Sequence, residues 1–263
     1  MNRLRTRLSV IATIAYRDVM KFLRDRMRII FSFIFPVMFV GVLGGGLQSS
    51  LGAASGKDLL TMTFLGVLAQ TLFQSTASGI ISLINDREND FSQEIFVSPT
   101  SRYAIIFGKI VGESTISFLQ VVGILIFGAI IGIKITLVGL LAIFPAMVAA
   151  ALLGGAFGIL VLGNLNNERT ANQIFPFLVM PQLFLSGVFV PLAGTSGLLL
   201  TLAKFMPLTY AVDLMRGMYF LNDTNAQTDL LHSPLVNALV IAAMFTVFLT
   251  IGTILFVKKE KER

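Results

Sequence analysis

The sequence contains no cysteine and no tryptophan, and its 263 residues include a single histidine, His232. The absence of cysteine excludes disulfide bridges and cysteine metal sites. One histidine at the edge of an apolar run cannot build a histidine-rich metal centre or supply the base of a nucleophilic site. Enzyme classes that depend on such centres are therefore excluded.

Charge is also scarce: 13% of the residues are charged and 55% are hydrophobic, whereas roughly a quarter of an ordinary soluble domain is charged. Six charge-free stretches each exceed the roughly 18 to 20 apolar residues that carry a helix across about 30 Å of hydrocarbon. A soluble protein of this length could not cover six such helices, and a strand barrel needs short alternating segments instead. The stretches are Ile29–Gly56, Leu59–Ile84, Ser114–Ile133, Ile135–Asn167, Thr170–Ala203 and Leu230–Val257. The sequence therefore predicts an all-α polytopic membrane protein with six transmembrane helices.

The net charge of +6 reflects cations at the ends of these stretches. No basic groove interleaved with aromatic residues indicates a nucleic-acid partner. With a cytoplasmic amino terminus, sixteen Lys and Arg residues lie inside and four outside, which is the bias expected of cytoplasmic loops. We expect a multi-pass protein of the plasma (cytoplasmic) membrane, with both termini cytoplasmic and no cleavable signal peptide.

The N-terminal residues carry apolar side chains at spacings of three and four, which predicts an amphipathic interfacial helix. A solvated basic tail is the alternative. These apolar residues are Leu4, Leu8, Ile11, Ala15, Val19 and Phe22. Further along, Pro36 is expected to kink the first crossing, and glycines 154, 155 and 158 in the fourth are expected to let a helix of this chain or of a second copy approach closely.

The residues from Asn85 to Arg102 form the largest charge cluster outside the termini. Composition fits equally a short amphipathic helix ended by Pro99 and an ordinary solvated loop. Deep in the third crossing, Glu113 follows Lys109 by one helical turn. The pair could neutralise itself, or Glu113 could line a permeation path. Near the other end of the chain, Asp213 and Arg216 are spaced to pair at the outer surface.

Nucleotide hydrolysis has no support in the sequence. The stretch from Gly52 to Asp58 superficially resembles a phosphate-binding loop, but it has three residues between its glycines and Asp58 where Ser or Thr should hold magnesium. If the chain drives transport, another polypeptide or an ion gradient supplies the energy.

Two segments make the chain resemble the permease subunits of the ABC-2 type transporter family, which includes daunorubicin-resistance-type drug exporters and polysaccharide exporters. The first contains Asp86-Arg87-Glu88, Glu94, Val97-Ser98-Pro99 and Ser101-Arg102. The second contains the run from Met180 to Pro191, then Met206-Pro207-Leu208-Thr209-Tyr210 and Asp213-Leu214-Met215-Arg216-Gly217. One departure is Asp90, where family members often have glycine.

The resemblance implies a half-transporter. Two copies of the permease would join two copies of an ABC ATPase, which binds ATP and Mg, while this chain binds no cofactor or metal and is not an enzyme. The resemblance assigns ATPase coupling to a helix whose candidate residues are Arg87, Glu88, Phe91, Glu94, Pro99 and Arg102. Candidate path or gate residues are Glu113, Pro181, Ser186, Gly187, Pro191 and Tyr210.

A single ABC-2 type transmembrane domain is expected over residues 1–263. Its parts are an interfacial helix (1–26), TM1 (about 27–47), TM2 (60–84), the coupling helix (87–102), TM3 (103–133), TM4 (136–163), TM5 (170–190), a re-entrant or external cap (191–233) and TM6 (234–257). The expected function is to provide the path of an ATP-driven exporter for a hydrophobic or amphipathic, lipid-like substrate. A membrane scaffold without transport activity and an ion-gradient-driven carrier are the alternatives.

The predicted topology can be checked with a reporter. A fusion of alkaline phosphatase, which is active only outside the cytoplasm, after Arg263 is expected to be inactive, whereas green fluorescent protein at the same position should fluoresce. An active phosphatase fusion would contradict the topology.

Overall fold

The structure is a computed structural model that describes residues 2–52, 58–88, 102–165, 167–221, 223 and 228–261. The described residues form ten helices and no strand. They are α1 (Asn2–Arg24), α2 (Arg26–Gly52), α3 (Leu59–Gly79), α4 (Ile81–Glu88), α5 (Arg102–Ile130), α6 (Leu137–Val161), α7 (Glu168–Leu185), α8 (Gly197–Phe205), α9 (Pro207–Tyr219) and α10 (Pro234–Lys261). The all-helical class predicted from the sequence is confirmed for these residues.

Five of these helices are long and apolar enough to cross a membrane: α2, α3 with α4, α5, α6 and α10. The count reaches six if the bent pair of α8 and α9, which meet at 92°, is taken as one span. Helix α3 occupies the centre, because 72% of its most apolar window is buried against 17% for α2 and 22% for α10. One long face of α2 is therefore left uncovered by the other described residues.

Helices α6 and α10 run in the same direction, so the chain must return across the bundle between them. Gly252 of α10 packs on Leu160 near the end of α6, and the starts of both helices line one cavity through Pro145 and Leu235. The return is made by α7 and the residues after it. This path lies in the same part of the chain as the predicted fifth crossing over residues 170–190.

The returning segment spans the length of α3 and α4. At one end Asn85 of α4 hydrogen-bonds Glu168 at the start of α7, and at the other the Thr63 hydroxyl donates to the Phe189 carbonyl at 2.9 Å. Residues 63 and 85 lie about 33 Å apart along a helix at 1.5 Å per residue, which is about the thickness of a bilayer core. We call the side near Asn85, where the chain also ends, the terminal face, and the side near Thr63 the distal face.

Two boundaries differ from those predicted. Helix α2 extends to Gly52 rather than ending at its glycine triplet, since glycine is tolerated in helices when water is absent; wide π-helical turns follow Pro36 over Phe39–Gly44 and recur over Gln48–Gly52. Helix α7 ends at Leu185 instead of continuing to Val190. Gly187 has φ +72°, a left-handed conformation that terminates helices.

Glycines set the closest helix contacts. A Cβ on Gly154 of α6 would lie 2.2 Å from the Phe73 carbonyl oxygen of α3, so the small residues of α6 pack on another helix of the same chain. Seven residues before Phe73 in α3, a Cβ on Gly66 would lie 2.0 Å from the Val188 carbonyl oxygen. Close approach of backbones through small residues is the usual way in which membrane helices associate.

The contact at Gly66 predicts a specific loss of stability. Gly66→Ala should lower the Tm of the detergent-solubilised protein by about 5 °C, because overpacking costs about 1–3 kcal/mol and each kcal/mol shifts the Tm of a chain of this size by about 2–4 °C. Gel filtration of a fluorescent fusion after heating measures the effect. Gly46→Ala is the matched control, because a Cβ there meets nothing within 4 Å. Equal Tm values for the two variants would contradict the close contact.

Candidate functional site

The segment after α7 is held on the distal face by a buried arginine. Arg216 of α9 is 3% exposed, and its guanidinium donates to the Met62 carbonyl oxygen at 3.0 and 3.1 Å and to the Val188 carbonyl oxygen at 3.0 Å. One side chain therefore joins α9, the first turns of α3 and the stretch that contains Gly187. This stretch is kept in place by hydrogen bonds that no water can replace inside a bilayer.

Asp213 does not pair with Arg216, contrary to the expectation from their spacing. Its carboxylate accepts hydrogen bonds from the backbone N–H groups of Leu231 (3.0 Å) and His232 (2.9 Å) and from the side-chain amide of Asn237 (2.8 Å). The two residues are three apart in α9, but the carboxylate fixes the entry into α10 while the guanidinium turns to α3. Both charged groups are buried and neither lies at the surface.

Tyr210, also predicted as a path or gate residue, lies in the same unit. Its hydroxyl donates to the Lys204 carbonyl oxygen at 2.9 Å, and its ring stacks on His232 with centroids 6.0 Å apart. The hydrogen bond bridges the sharp bend between α8 and α9. Tyr210 thus stabilises the bend between α8 and α9.

Near the terminal face, Glu113 belongs to a buried ion cluster. Lys109 places its ammonium 2.7 Å from the Asp18 carboxylate of α1 and 3.5 Å from that of Glu113, and Arg28 of α2 approaches Glu113 to 3.7 Å. Asp18, Lys109 and Glu113 are each no more than 3% exposed. A Cβ on Gly79 of α3 would overlap the Glu113 carboxylate, so the acid fits only because residue 79 is glycine.

The ion cluster extends to α4, the helix that precedes the predicted coupling segment. Arg17 bonds both Asp18 and Asp86, and Lys21 lies 3.4 Å from the Asp86 carboxylate. Helix α1 also packs closely on α5, since the Cα of Ile11 would lie 3.1 Å from a Cβ on Gly108. The sequence-predicted amphipathic helix is therefore present and contacts protein along one face, and its buried Asp18 was not anticipated.

The predicted coupling residues fall mostly beyond the described residues. Phe91, Glu94 and Pro99 lie outside them. Arg87 and Glu88 end α4 and Arg102 begins α5. The segment is therefore flanked by two helices that the ion cluster ties to α1.

The structure does not bring the predicted path residues together. Glu113 lies against Gly79 and Ser82, whereas Gly187 and Pro191 flank Val188, which lies against Gly66. Positions 66 and 79 are about 20 Å apart along α3. Ser186 caps α7 through its N–H to the Gln182 carbonyl, and Pro181 lies inside that helix. Two regions, one near each face, replace the single predicted group.

Between these two regions the structure reveals a polar cleft that sequence reasoning missed. Its volume is about 370 Å³, and it is formed by α2, α3 and one residue of α5. The lining residues are Arg28, Phe31, Ser32, Phe35, Pro36, Val67, Gln70, Thr71, Gln74, Ser75, Ser78 and Gln120. A signal was present in the sequence: the polar residues of α3 recur at spacings of three and four inside a charge-free stretch, which places them on one helical face.

A second cavity, of about 520 Å³, opens between α6, α9 and α10 in the distal half of the bundle. Pro145, Met218, Leu235 and Phe245 are among its lining residues, all of which are apolar. No side chain there can hydrogen-bond a ligand. It is less suited than the cleft to recognise a polar group.

Membrane-length helices around a central helix, with a polar cleft at the level of the hydrocarbon, define a multi-pass membrane protein. The chain belongs to the ABC-2 type transporter family, whose model matches residues 9–220. The resemblance inferred from the sequence is confirmed. The described helices and the family match together identify the chain as a multi-pass membrane protein of this family.

A curated relative is similar over much of the chain. The "Putative transport permease ycf38" of Cyanophora paradoxa is 27% identical over 188 residues, which cover 70% of this chain and 65% of the relative. The chain thus spans less than two thirds of the length of this relative. The name of the relative agrees with the family in describing a transport permease.

The ion cluster predicts that Lys109 is required for stability. Lys109→Met should reduce the amount of folded protein and lower its Tm by about 10 °C, because removal of one partner of a buried pair costs about 3–5 kcal/mol at about 2–4 °C per kcal/mol. The double variant Asp18→Asn, Lys109→Met should recover part of this loss. Lys134→Met, at an exposed lysine, is the control. A Tm unchanged by Lys109→Met would contradict a structural role for the cluster.

Proposed function

We propose that this chain is the permease subunit of an ATP-driven ABC exporter and that the polar cleft between α2 and α3 is one wall of its translocation path. The cleft carries the proposal, because Gln70, Gln74 and Gln120 line it in stretches that contain no charged residue. Exposure of amides to hydrocarbon is costly. In a translocation path, the three glutamines would form hydrogen bonds with a substrate.

The proposal includes a second copy of the chain. The described residues enclose the cleft on one side only and leave its other side open. The neighbouring face of α2 exposes Phe31, Met38 and Val42. A homodimer would close the cleft between two such faces. Two copies of an ABC ATPase, which bind ATP and Mg, would complete the exporter, while this chain supplies no catalytic residue and binds no cofactor or metal.

Coupling is assigned to residues 87–102. A short amphipathic helix there would dock on the ATPase, with Arg87, Glu88, Phe91, Glu94, Pro99 and Arg102 as its candidate contacts. Support comes from α4, which precedes the segment and is held by Arg17 and Lys21 through Asp86. Movement of the segment would therefore be transmitted to α1 and, through Lys109, to α5.

The gate is assigned to the distal stretch from Ser186 to Pro191. Gly187 breaks α7, and Val188 is held by Arg216, so release of this contact would open the distal end of the path. Pro181 and Tyr210 stabilise the helices on either side of the stretch. In this proposal the terminal face and both termini are cytoplasmic, the membrane is the plasma membrane, and the substrate is hydrophobic or amphipathic and lipid-like.

Two other functions are considered. A membrane scaffold would not need a polar cleft in its hydrocarbon region. An ion-gradient-driven carrier needs ionisable groups that face its path, whereas Glu113 is enclosed by Lys109, Arg28 and Ser82. These contacts favour a structural role for Glu113 over a role as a lining residue.

Reconstitution with the ATPase tests the proposal. Inside-out vesicles that contain the chain and its co-purifying ATPase should take up one or more NBD-labelled amphiphiles with glucoside, carboxylate or trimethylammonium headgroups, and only with hydrolysable ATP. Uptake that persists without the ATPase, or in response to an ion gradient alone, would contradict an ABC exporter.

A charge reversal tests the coupling assignment. Glu94→Lys should reduce ATP-dependent uptake at least tenfold while the ATPase subunit keeps its basal hydrolysis, because the contact that links hydrolysis to the permease is lost. Lys258→Glu, at an exposed cation near the end of α10, is the control and should leave uptake unchanged. Normal uptake by Glu94→Lys would remove this residue from the interface.

A further inference from the structure

Two of the three glutamines that line the cleft are buried, and the hydrogen-bonding groups of the three are incompletely bonded. Gln70 is 3% exposed and Gln120 is 6% exposed. The Gln70 side-chain N–H₂ donates to the Gln74 amide oxygen at 3.1 Å. This bond leaves the Gln74 N–H₂ group without a hydrogen bond among the described residues.

The Gln120 side chain makes no hydrogen bond to another described residue, and it lines the cleft. Its amide offers two donors and two acceptor positions. A buried polar group without partners costs about 1–3 kcal/mol, and the great majority of such groups are satisfied in native proteins. The contents of the cleft must therefore supply partners to Gln120 and to Gln74.

The charge of the lining limits what those contents can be. No acidic residue lines the cleft, and its one charged side chain is Arg28, at the terminal end. A cationic headgroup would find no counter-ion in this lining, and an anionic headgroup would have to compete with Glu113, whose carboxylate lies 3.7 Å from the Arg28 guanidinium. Hydroxyl and amide groups, in contrast, both donate and accept hydrogen bonds and so match glutamine.

The same cleft has an apolar edge. Phe31 and Phe35 of α2 line it, and Phe31 is 61% exposed on the uncovered face of that helix. A molecule with a polar head against the glutamines could place an apolar chain along these rings and remain in contact with the bilayer. The lining thus combines a hydrogen-bonding part and an apolar part, which match the headgroup and the alkyl chain of an amphiphile.

We infer that the cleft binds an amphiphile whose headgroup is uncharged and carries hydroxyl or amide groups, with Gln70, Gln74 and Gln120 as its hydrogen-bonding residues. This inference rests on the proposed function, because it names the substrate class of the same path. Such a cleft would bind cationic amphiphiles, and molecules without a hydrogen-bonding group, more weakly.

A binding assay without the ATPase tests the inference. The chain has no tryptophan, so Phe31→Trp places one reporter in the cleft of the full-length protein in phosphatidylcholine nanodiscs. Two amphiphiles with the same brominated alkyl chain, one with a glucoside headgroup and one with a trimethylammonium headgroup, then quench its fluorescence on contact. The glucoside is expected to reach half-maximal quenching at a mole fraction at least fivefold lower.

Variants in the reporter background identify the residues. Gln120→Leu should weaken glucoside quenching about fivefold, which corresponds to the loss of about 1 kcal/mol of hydrogen bonding, and should leave trimethylammonium quenching unchanged. Gln173→Leu, at an exposed glutamine of α7, is the matched control and should change neither. Equal quenching by the two amphiphiles, or an equal effect of the two variants, would overturn the inference.

The uptake assay separates this inference from the proposed function. Selective quenching by the glucoside together with ATP-driven uptake of the glucoside supports both. Selective quenching without ATP-driven uptake of any of the three NBD-labelled amphiphiles supports the binding chemistry and contradicts the exporter. ATP-driven uptake of the trimethylammonium probe alone supports the exporter and overturns the inference.

Discussion

A bilayer core contains almost no water to bond polar groups, and this constraint explains the contacts of three buried charged residues of the bundle. Arg216 meets it by donating to two backbone carbonyls, and Lys109 meets it by lying between two carboxylates. Asp213 meets it by accepting three N–H groups. Each of these residues joins elements that are distant in the sequence. Gln120 departs from the pattern, which is why the cleft it lines is the most informative feature of the molecule.

Helix α3 has two different sides, one that packs on other helices and one that lines the cleft. One side approaches α6 and the Val188 segment through backbone contacts that only glycine or small neighbours permit, at Gly154 and Gly66. Another side carries the polar stripe that faces α2. The central helix is therefore held tightly on its packed side and carries polar side chains on the side that faces α2. In the proposed path, α3 would form the fixed wall. Movement would then be made by α2, which packs loosely on the rest of the bundle.

The sequence predicted much of the fold, because the length and continuity of its apolar stretches determine how many helices can cross a membrane. It also predicted an interfacial helix from the spacing of residues such as Ile11, Ala15 and Phe22. The fate of Asp213 and Arg216 was beyond it, since spacing in one helix does not reveal which distant carbonyls or N–H groups lie opposite. The surroundings of Glu113 were predicted only in part. Its partner Lys109 follows from helical spacing, whereas Asp18 and Arg28 are brought near only by the tertiary fold.

The parallel direction of α6 and α10 has a consequence for biosynthesis. Domains form as the chain is synthesised from its amino terminus, so α6 enters the bilayer long before α10. The surface around Leu160 on which Gly252 packs is exposed to lipid until the last helix is inserted. Assembly of the described bundle thus needs the 28 residues of α10, and a nascent chain stalled before them would leave the surface of α6 uncovered.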